Sequence, residues 1–431
     1  MRRDESRRCR HECLRHTEAG AFDSWYDWLV MRRIVLLLTA AAGLANGQQV
    51  VQFKHHVIEP KIPGGYSVIV VDVNHDGRPD VIGMTQQVKD LTWYENPTWQ
   101  PHVIVKDMPG MVNMAAHDID GDGVPELAIE SGFSMVAAKS EGLVWLLSHQ
   151  GDPRELWKTT RIDALTTSHH VAWADIDGDG KKELINSPLI GASNLAPKYE
   201  GKTPLVFYRV PQDWSSDWKR QTIDNDLNGI VHRVRVVNWD GGKREQLLTA
   251  GFDGVILHSA SGKGDNLKWE HKLLVKGHDS EDAPRLGTSD VRVAHLGKHR
   301  ILATVEPWHG NEVVVYTEDG KGGWQRHVIY DALTEGHEVC VGDFNGDGRD
   351  EIVAGDRARG KVASSHVFYS VDESGTKWHH EELDHLGMSA SGCQVADING
   401  DGRPDIVMIG SATANIKWYE NLGAGAQAAR R

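Results

Sequence analysis

Apolar residues in this chain fall in short runs separated by glycine and aspartate turns, and the runs follow one order. A first strand ends at an acidic loop: Tyr66–Val71, Val112–His117, His169–Ala174, His232–Val237, Ser289–Ala294, His337–Gly342 and Ser391–Ala396. A second strand leaves the loop, a third is aromatic, and a fourth follows a tryptophan such as Trp99, Trp157, Trp218 or Trp324. Four short strands recurring at about 45–60 residues mark propeller blades. The last repeat stops at Trp418-Tyr419-Glu420-Asn421 without a fourth strand. Phe53-Lys54-His55-His56-Val57-Ile58 matches Trp324-Gln325-Arg326-His327-Val328-Ile329, so the N-terminal strand is expected to complete the last blade and leave no open edge. The pattern predicts an all-β, seven-bladed β-propeller over residues 50–421, with 422–431 a disordered tail.

The acidic loops carry a spacing of their own. Five hold oxygen side chains at positions 1, 3, 5 and 9: Asp72, Asn74, Asp76 and Asp80; Asp118, Asp120, Asp122 and Glu126; Asp175, Asp177, Asp179 and Glu183; Asp343, Asn345, Asp347 and Glu351; Asp397, Asn399, Asp401 and Asp405. Hard cations take six to eight oxygens, and this spacing wraps carboxylates around one point. An EF-hand would place its last acid at position 12; here it comes at position 9, directly before an apolar run. These are read as strand connections holding up to five structural Ca²⁺ ions. Worn copies stand at Asn238–Glu245 and His295–Arg300.

Composition adds bounds. The net charge is -14, much of it in the cation loops, and no basic stripe is present, which argues against a nucleic-acid partner. Residues 1–30 are polar and oddly composed and read as a non-native extension. Met31-Arg32-Arg33, an apolar run from Ile34 and small residues at Ala45-Asn46-Gly47 read as a signal peptide over 31–47, too short for a membrane span. A secreted or periplasmic monomer is expected. Beyond that segment only Cys340 and Cys393 remain, expected as buried free thiols.

First strands line a propeller's channel, and their starts lie roughly 15–20 Å from the loops at about 3.3 Å per residue. Aligned on the loops, the starts read Tyr66-Ser67, Val112-Asn113, His169-His170, His232-Arg233, Ser289-Asp290, His337-Glu338 and Ser391-Gly392. Three blades thus put a histidine at one register, with Arg233 and Glu338 next to it and Arg292 two residues beyond Asp290. Second strands return Glu130, Asn186, Glu306, Asp356 and Arg357 to the same rim, with Trp308 and His309 in the following turn. A convergent polar cluster at a concave mouth is a site candidate. His169, His232, His337, Arg233, Arg292 and Glu338 are the catalytic candidates. His170, Asn113, Asp290, Glu130, Glu306, Trp308, His309 and Arg357 are the substrate-binding ones, with Trp308 placed to stack on a sugar. Imidazoles with a carboxylate suit Zn²⁺ or another divalent metal; equally, histidines titrating near neutrality serve as acid and base without metal. Either version suits proton removal beside a carbonyl and loss of a β-oxygen, with Arg233 or Arg292 holding the oxyanion.

The loops and Trp-Tyr-Glu-Asn strands resemble the FG-GAP/VCBS repeat family, found in integrin-type propellers and secreted carbohydrate-active proteins. His169-His170-Val-Ala-Trp-Ala-Asp175, the His232-Arg233 strand and Glu335-Gly336-His337-Glu338 more narrowly resemble the propeller domain of fungal aldos-2-ulose dehydratases, which remove water from keto-sugars such as 1,5-anhydrofructose. Those proteins carry cupin domains after the propeller; none is read here after residue 421, so an isomerase step assigned to them is not implied. The resemblance implies a carbohydrate substrate and a carbon–oxygen lyase reaction. The alternative is a propeller that binds glycans or a protein without catalysis.

Overall fold

In the acidic loops, backbone amides close onto the acids. The residue at position 9 accepts the N–H of position 2: Val73 to Asp80 at 2.9 Å, Ile119 to Glu126 at 2.8 Å, Phe344 to Glu351 at 2.9 Å and Ile398 to Asp405 at 3.0 Å. The worn fourth loop keeps the clamp with an amide, Trp239 to Gln246 at 2.7 Å. The position-1 aspartate accepts two further amides, as Asp72 does from Asp76 and Gly77. Each loop therefore folds as a closed hairpin turn that sends the chain straight back into its sheet.

The computed structural model describes residues 49–280, 284–357 and 363–425. They form seven four-stranded antiparallel sheets. The inner strands are Gly65–Val71, Asn113–His117, Ser168–Ala174, Val231–Val237, Asp290–Leu296, Val339–Gly342 and Ala390–Ala396. In the seventh blade, Val50–Glu59 pairs antiparallel with Ile416–Gly425, so the N-terminal strand closes the ring as expected. Second strands such as Asp80–Thr85, Glu126–Ser131 and Asp405–Gly410 are buried along their whole length. Neighbouring blades cover both faces of each sheet, so these strands read as continuous apolar runs. The core is a ring of inter-blade clusters; in one, Trp93 and Met84 of blade 1 pack with Leu127 and Trp157 of blade 2. Asn96, just after one aromatic strand, and Asn421, within another, pin adjacent blades by donating to the carbonyls of Ile398 and Phe344 at 2.8 Å each.

Two expectations need correction. The segment after Asn421 is not a loose tail through its first residues: Gly425 pairs with Val50 and Ala424 with Val51. Residues 426–431 lie outside the described residues, as do the expected extension and signal peptide. Cys340 and Cys393 are not free thiols: they form a disulfide between the inner strands of blades 6 and 7, with Cα atoms 6.1 Å apart. That spacing lies within the bridging range. It arises from ring packing across 53 residues of sequence, which the count of cysteines does not reveal.

Candidate functional site

The inner strands do more than line the channel, because their pairing slips by one residue at Tyr66, His169, His232 and Ser391. An extra residue in a strand bends it and re-aims a side chain. Two consecutive residues therefore both serve the axis. Tyr66, His169 and His232 meet at the mouth, while Ser67, His170 and Arg233 line the channel beneath, a space of about 440 Å³. The mouth itself is a cavity of about 620 Å³ edged by Tyr66, Gln87, His309, Glu335, Arg357 and Ser411.

Behind Tyr66 and His309, which edge this cavity, lies a cluster of buried imidazoles. The His232 ring centroid lies 5.2 Å from His169, 4.9 Å from His309 and 4.8 Å from His337. His232 Nδ1 sits 2.6 Å from the Ser289 carbonyl, and His337 Nδ1 sits 2.6 Å from the Ser391 carbonyl. A carbonyl only accepts, so both Nδ1 atoms carry the proton and both Nε2 atoms keep a lone pair. Arg233 lies 3.1 Å from His337 Nδ1 as well; that nitrogen cannot accept while it donates, so the contact is packing of the guanidinium against the ring. His232 Nε2 is 3.2 Å from His309 Nε2, and His337 Nε2 is buried without a hydrogen-bond partner among the described residues. One nitrogen from each of His232, His309 and His337 falls within 4.8 Å of the others. His169 stands beside this triad, its Nε2 2.8 Å from the Tyr66 hydroxyl. The expected set of His169, His232 and His337 is thus gathered, with His309 taking the place of His169 among atoms that could hold one cation.

Burial, and then the positive charge of Arg233 and Arg357, pushes the imidazoles of His169 and His337 well below the ordinary histidine range, and burial does the same for His232 and His309. This corrects the expectation of near-neutral titration: all four are neutral at pH 7, which suits them to donate lone pairs. Arg357 is the half-buried counterpart at the rim, its guanidinium carbon 5.3 Å from the Tyr66 ring centroid.

Other candidates sit elsewhere. Arg292 and Glu338 belong to the channel: Arg292 donates to the Val339 carbonyl at 3.0 Å and to Glu338 at 3.1 Å. Asp290 is fully buried and gripped by both nitrogens of Arg235, at 2.9 and 2.7 Å. Burial alone would raise the Asp290 carboxyl, but Arg235 and Arg292 outweigh it and hold it below the usual range. Arg235 also reaches Glu338 at 2.8 Å and was missed in the sequence. An arginine between valines in an inner strand was the available signal. Asn113 joins blades by accepting the Val171 N–H at 3.1 Å. Glu306 turns away from the mouth to Thr304, Tyr316 and Arg326. Asp356 clamps the amides of Thr334 and Ser364. Glu130 is fully buried with neither carboxylate oxygen bonded among the described residues, and burial pushes it well up. Trp308 stacks on His309 at 4.4 Å and packs near Phe252 and Tyr199, so it backs the histidine instead of edging the cavity.

At the opposite face, Asp118, Asp120 and Asp122 bring one oxygen each within 4.8 Å, as do Asp175, Asp177 and Glu183. Burial, with the neighbouring loop carboxylates, pushes Asp80 and Asp405 up to about 6 and Glu126 to about 7. Such crowding of carboxylates fits residues built to surround a cation. In the third loop Arg209 already pairs with Asp177 at 3.0 Å and Glu183 at 2.7 Å.

Comparison with known proteins agrees with this architecture. Residues 141–319 match the aldos-2-ulose dehydratase β-propeller domain, and residues 72–129 and 336–363 match FG-GAP-type repeats. The aldos-2-ulose dehydratase of Phanerodontia chrysosporium is 25% identical over 346 residues, covering 70% of this chain and 37% of that protein. The chain thus spans little more than a third of that relative's length. Among solved structures, an Agrocybe aegerita lectin that recognises non-reducing terminal N-acetylglucosamine superposes with a TM-score of 0.50 at 13% identity, covering 88% of each chain. The BBS1N–ARL6DN complex gives 0.49 at 10% identity, covering 86% of this chain and 96% of that one.

Proposed function

We propose that this chain is a secreted carbohydrate-active dehydratase or lyase that eliminates a β-oxygen from a keto-sugar or oligosaccharide at its histidine-lined mouth. The observation that carries the reading is the convergence of three imidazole nitrogens, one of them from a histidine that edges an open cavity, in a chain part of which matches a dehydratase propeller. His232 and His337 each present Nε2 while a backbone carbonyl holds Nδ1–H. That is the arrangement of a metal-ligating histidine with its outer partner in place. His232, His309 and His337 would hold Zn²⁺ or a similar divalent cation, which when bound supplies Lewis-acid charge for a carbonyl oxygen.

The chain's own groups do the rest. His169 is neutral and hydrogen-bonded to Tyr66, so the pair accepts a proton at one atom and returns one at the other. The proton on the carbon beside the carbonyl passes to this pair. The bond from the β-carbon to its oxygen breaks, and the departing oxygen takes up a proton; for a hydroxyl the product is water. Arg357 offers its charge to the growing oxyanion from the rim. Calcium in the acidic loops sets the frame, and the disulfide supports an oxidising compartment.

The test is absorbance of the conjugated enone after incubation with 1,5-anhydrofructose, other keto-sugars and uronate polymers. Turnover that is lost in His337→Ala and Tyr66→Phe, with melting unchanged, is the expected result. No signal from any substrate, with glycan binding retained in His337→Ala, identifies a binding propeller instead.

A further inference from the structure

A recurrent device secures the outer strands. A buried or half-buried carboxylate receives a phenol and a cation together: half-buried Asp163 receives Tyr208 and two guanidinium nitrogens of Arg220; buried Asp384 receives Tyr419 at 2.8 Å and Lys417 at 2.7 Å; buried Glu306 receives Tyr316 and Arg326. Each pairs a desolvated negative charge with a fixed positive one, as burial of a carboxylate requires.

Between blades 3 and 4 the device is altered. Asp224, on the outer strand Arg220–Asn228, is buried, and His258 occupies the position that tyrosine holds in blades 3 and 7. His271 stands opposite His258 across the strand pair. Among the described residues the ion-pair partners of Asp224 are these two imidazoles, at 3.8 and 3.5 Å, and neither lysine nor arginine joins them. The two Nδ1 atoms approach to 2.8 Å. His258 Nε2 lies 2.9 Å from the Thr249 hydroxyl. A hydroxyl both donates and accepts, so Thr249 accommodates a proton on Nε2, the tautomer in which His258 turns a lone pair on Nδ1 toward His271 and Asp224. One atom from each of the three residues lies within 4.8 Å of the others. Asp224 and His271 also border an open cavity of about 530 Å³, which admits water as a further ligand.

We infer that Asp224, His258 and His271 form a second divalent-metal site, at the boundary of blades 3 and 4, for a borderline cation such as Zn²⁺. The ion supplies the positive charge that arginine or lysine supplies at the other buried carboxylates. Two imidazoles, one carboxylate and open positions suit first-row divalent metals, and in the ligating tautomer Thr249 accepts the His258 Nε2–H as an outer partner. The site lies on outer strands, away from the mouth, and the inference is independent of the proposed reaction.

The test uses Co²⁺, whose visible absorption reports coordination. The purified full chain is stripped with chelator, given excess Ca²⁺ to satisfy the acidic loops, and titrated with Co²⁺. A His309→Ala background removes the mouth triad. In that background one equivalent of Co²⁺ is expected, lost on adding His271→Ala and lost again with Asp224→Asn. His271 is partly exposed, so its removal should leave the metal-free melting temperature unchanged; should it unfold the protein, Asp224→Asn alone decides. Equal Co²⁺ stoichiometry in these variants and their parent overturns the site and leaves a plain imidazole pair.

Discussion

Removing the bridge between blades 6 and 7 gives a sharp quantitative test of the ring. Cys340 and Cys393 close a loop of 53 residues, and both side chains are buried. In the chain-entropy account, such a closure withholds about 14 cal/mol/K from the unfolded ensemble, or about 4 kcal/mol at 25 °C. A propeller of roughly 380 residues unfolds with about 0.8 kcal/mol/K, so the loss corresponds to about 5 °C in melting temperature. Deleting each sulfur also costs about 1 kcal/mol in packing. Cys340→Ala should therefore lose about 5 kcal/mol, whereas adding Cys393→Ala should cost only about 1 kcal/mol more, since the bridge is already gone. Denaturant unfolding of both single variants and the double variant gives the coupling, expected near 4 kcal/mol. Mass mapping of unreduced peptides provides the chemical check. Costs that add to within about 0.5 kcal/mol, or alkylation of both thiols without reductant, would refute the bridge and restore the free-thiol reading.

Chelation should lower the melting temperature markedly, because the loop acids gather only in the folded chain; an unchanged melt in excess chelator rules out structural Ca²⁺. His169, His232 and His337 are held neutral by burial, but each takes up a proton in the unfolded chain below about pH 6.5. The unfolded state then binds more protons, so stability present above pH 6.5 falls with acidification by about 1.4 kcal/mol per pH unit for each histidine. His169→Gln should flatten the stability–pH slope between pH 6.5 and 5 by one proton, and an unaltered slope contradicts the buried neutral assignment. Asp290→Asn should cost about 3 kcal/mol by removing the carboxylate that grips Arg235 with two hydrogen bonds, Glu338 remaining as its other acidic partner; a loss below about 1 kcal/mol, measured by urea unfolding, would show the channel network to be well solvated.

Much of this was legible because blade repeats state the same physics seven times. One Asp-x-Asp-x-Asp-Gly loop is a weak signal; the recurrence set the blade count, and the orphan strand at Phe53 showed how the ring closes. The histidines were found by aligning strand starts on their loops, since residues at equivalent points of radial sheets meet at the axis. His309 was counted a rim residue, although it completes the triad, because it comes from a turn. Glu306 was misplaced because strand alternation turned it toward Arg326. Arg235 was hidden among valines.

Amino-acid order alone determined the repeat, the loops and the channel register, for these depend on spacings within about sixty residues. Tertiary structure decided what no local spacing encodes: the one-residue slips that turn neighbouring side chains to a common axis, the carbonyls that choose each imidazole's proton, and the disulfide. Those outcomes depend on which blade lies beside which. Burial then keeps the four imidazoles at the centre neutral, because water is excluded there only once the ring has closed.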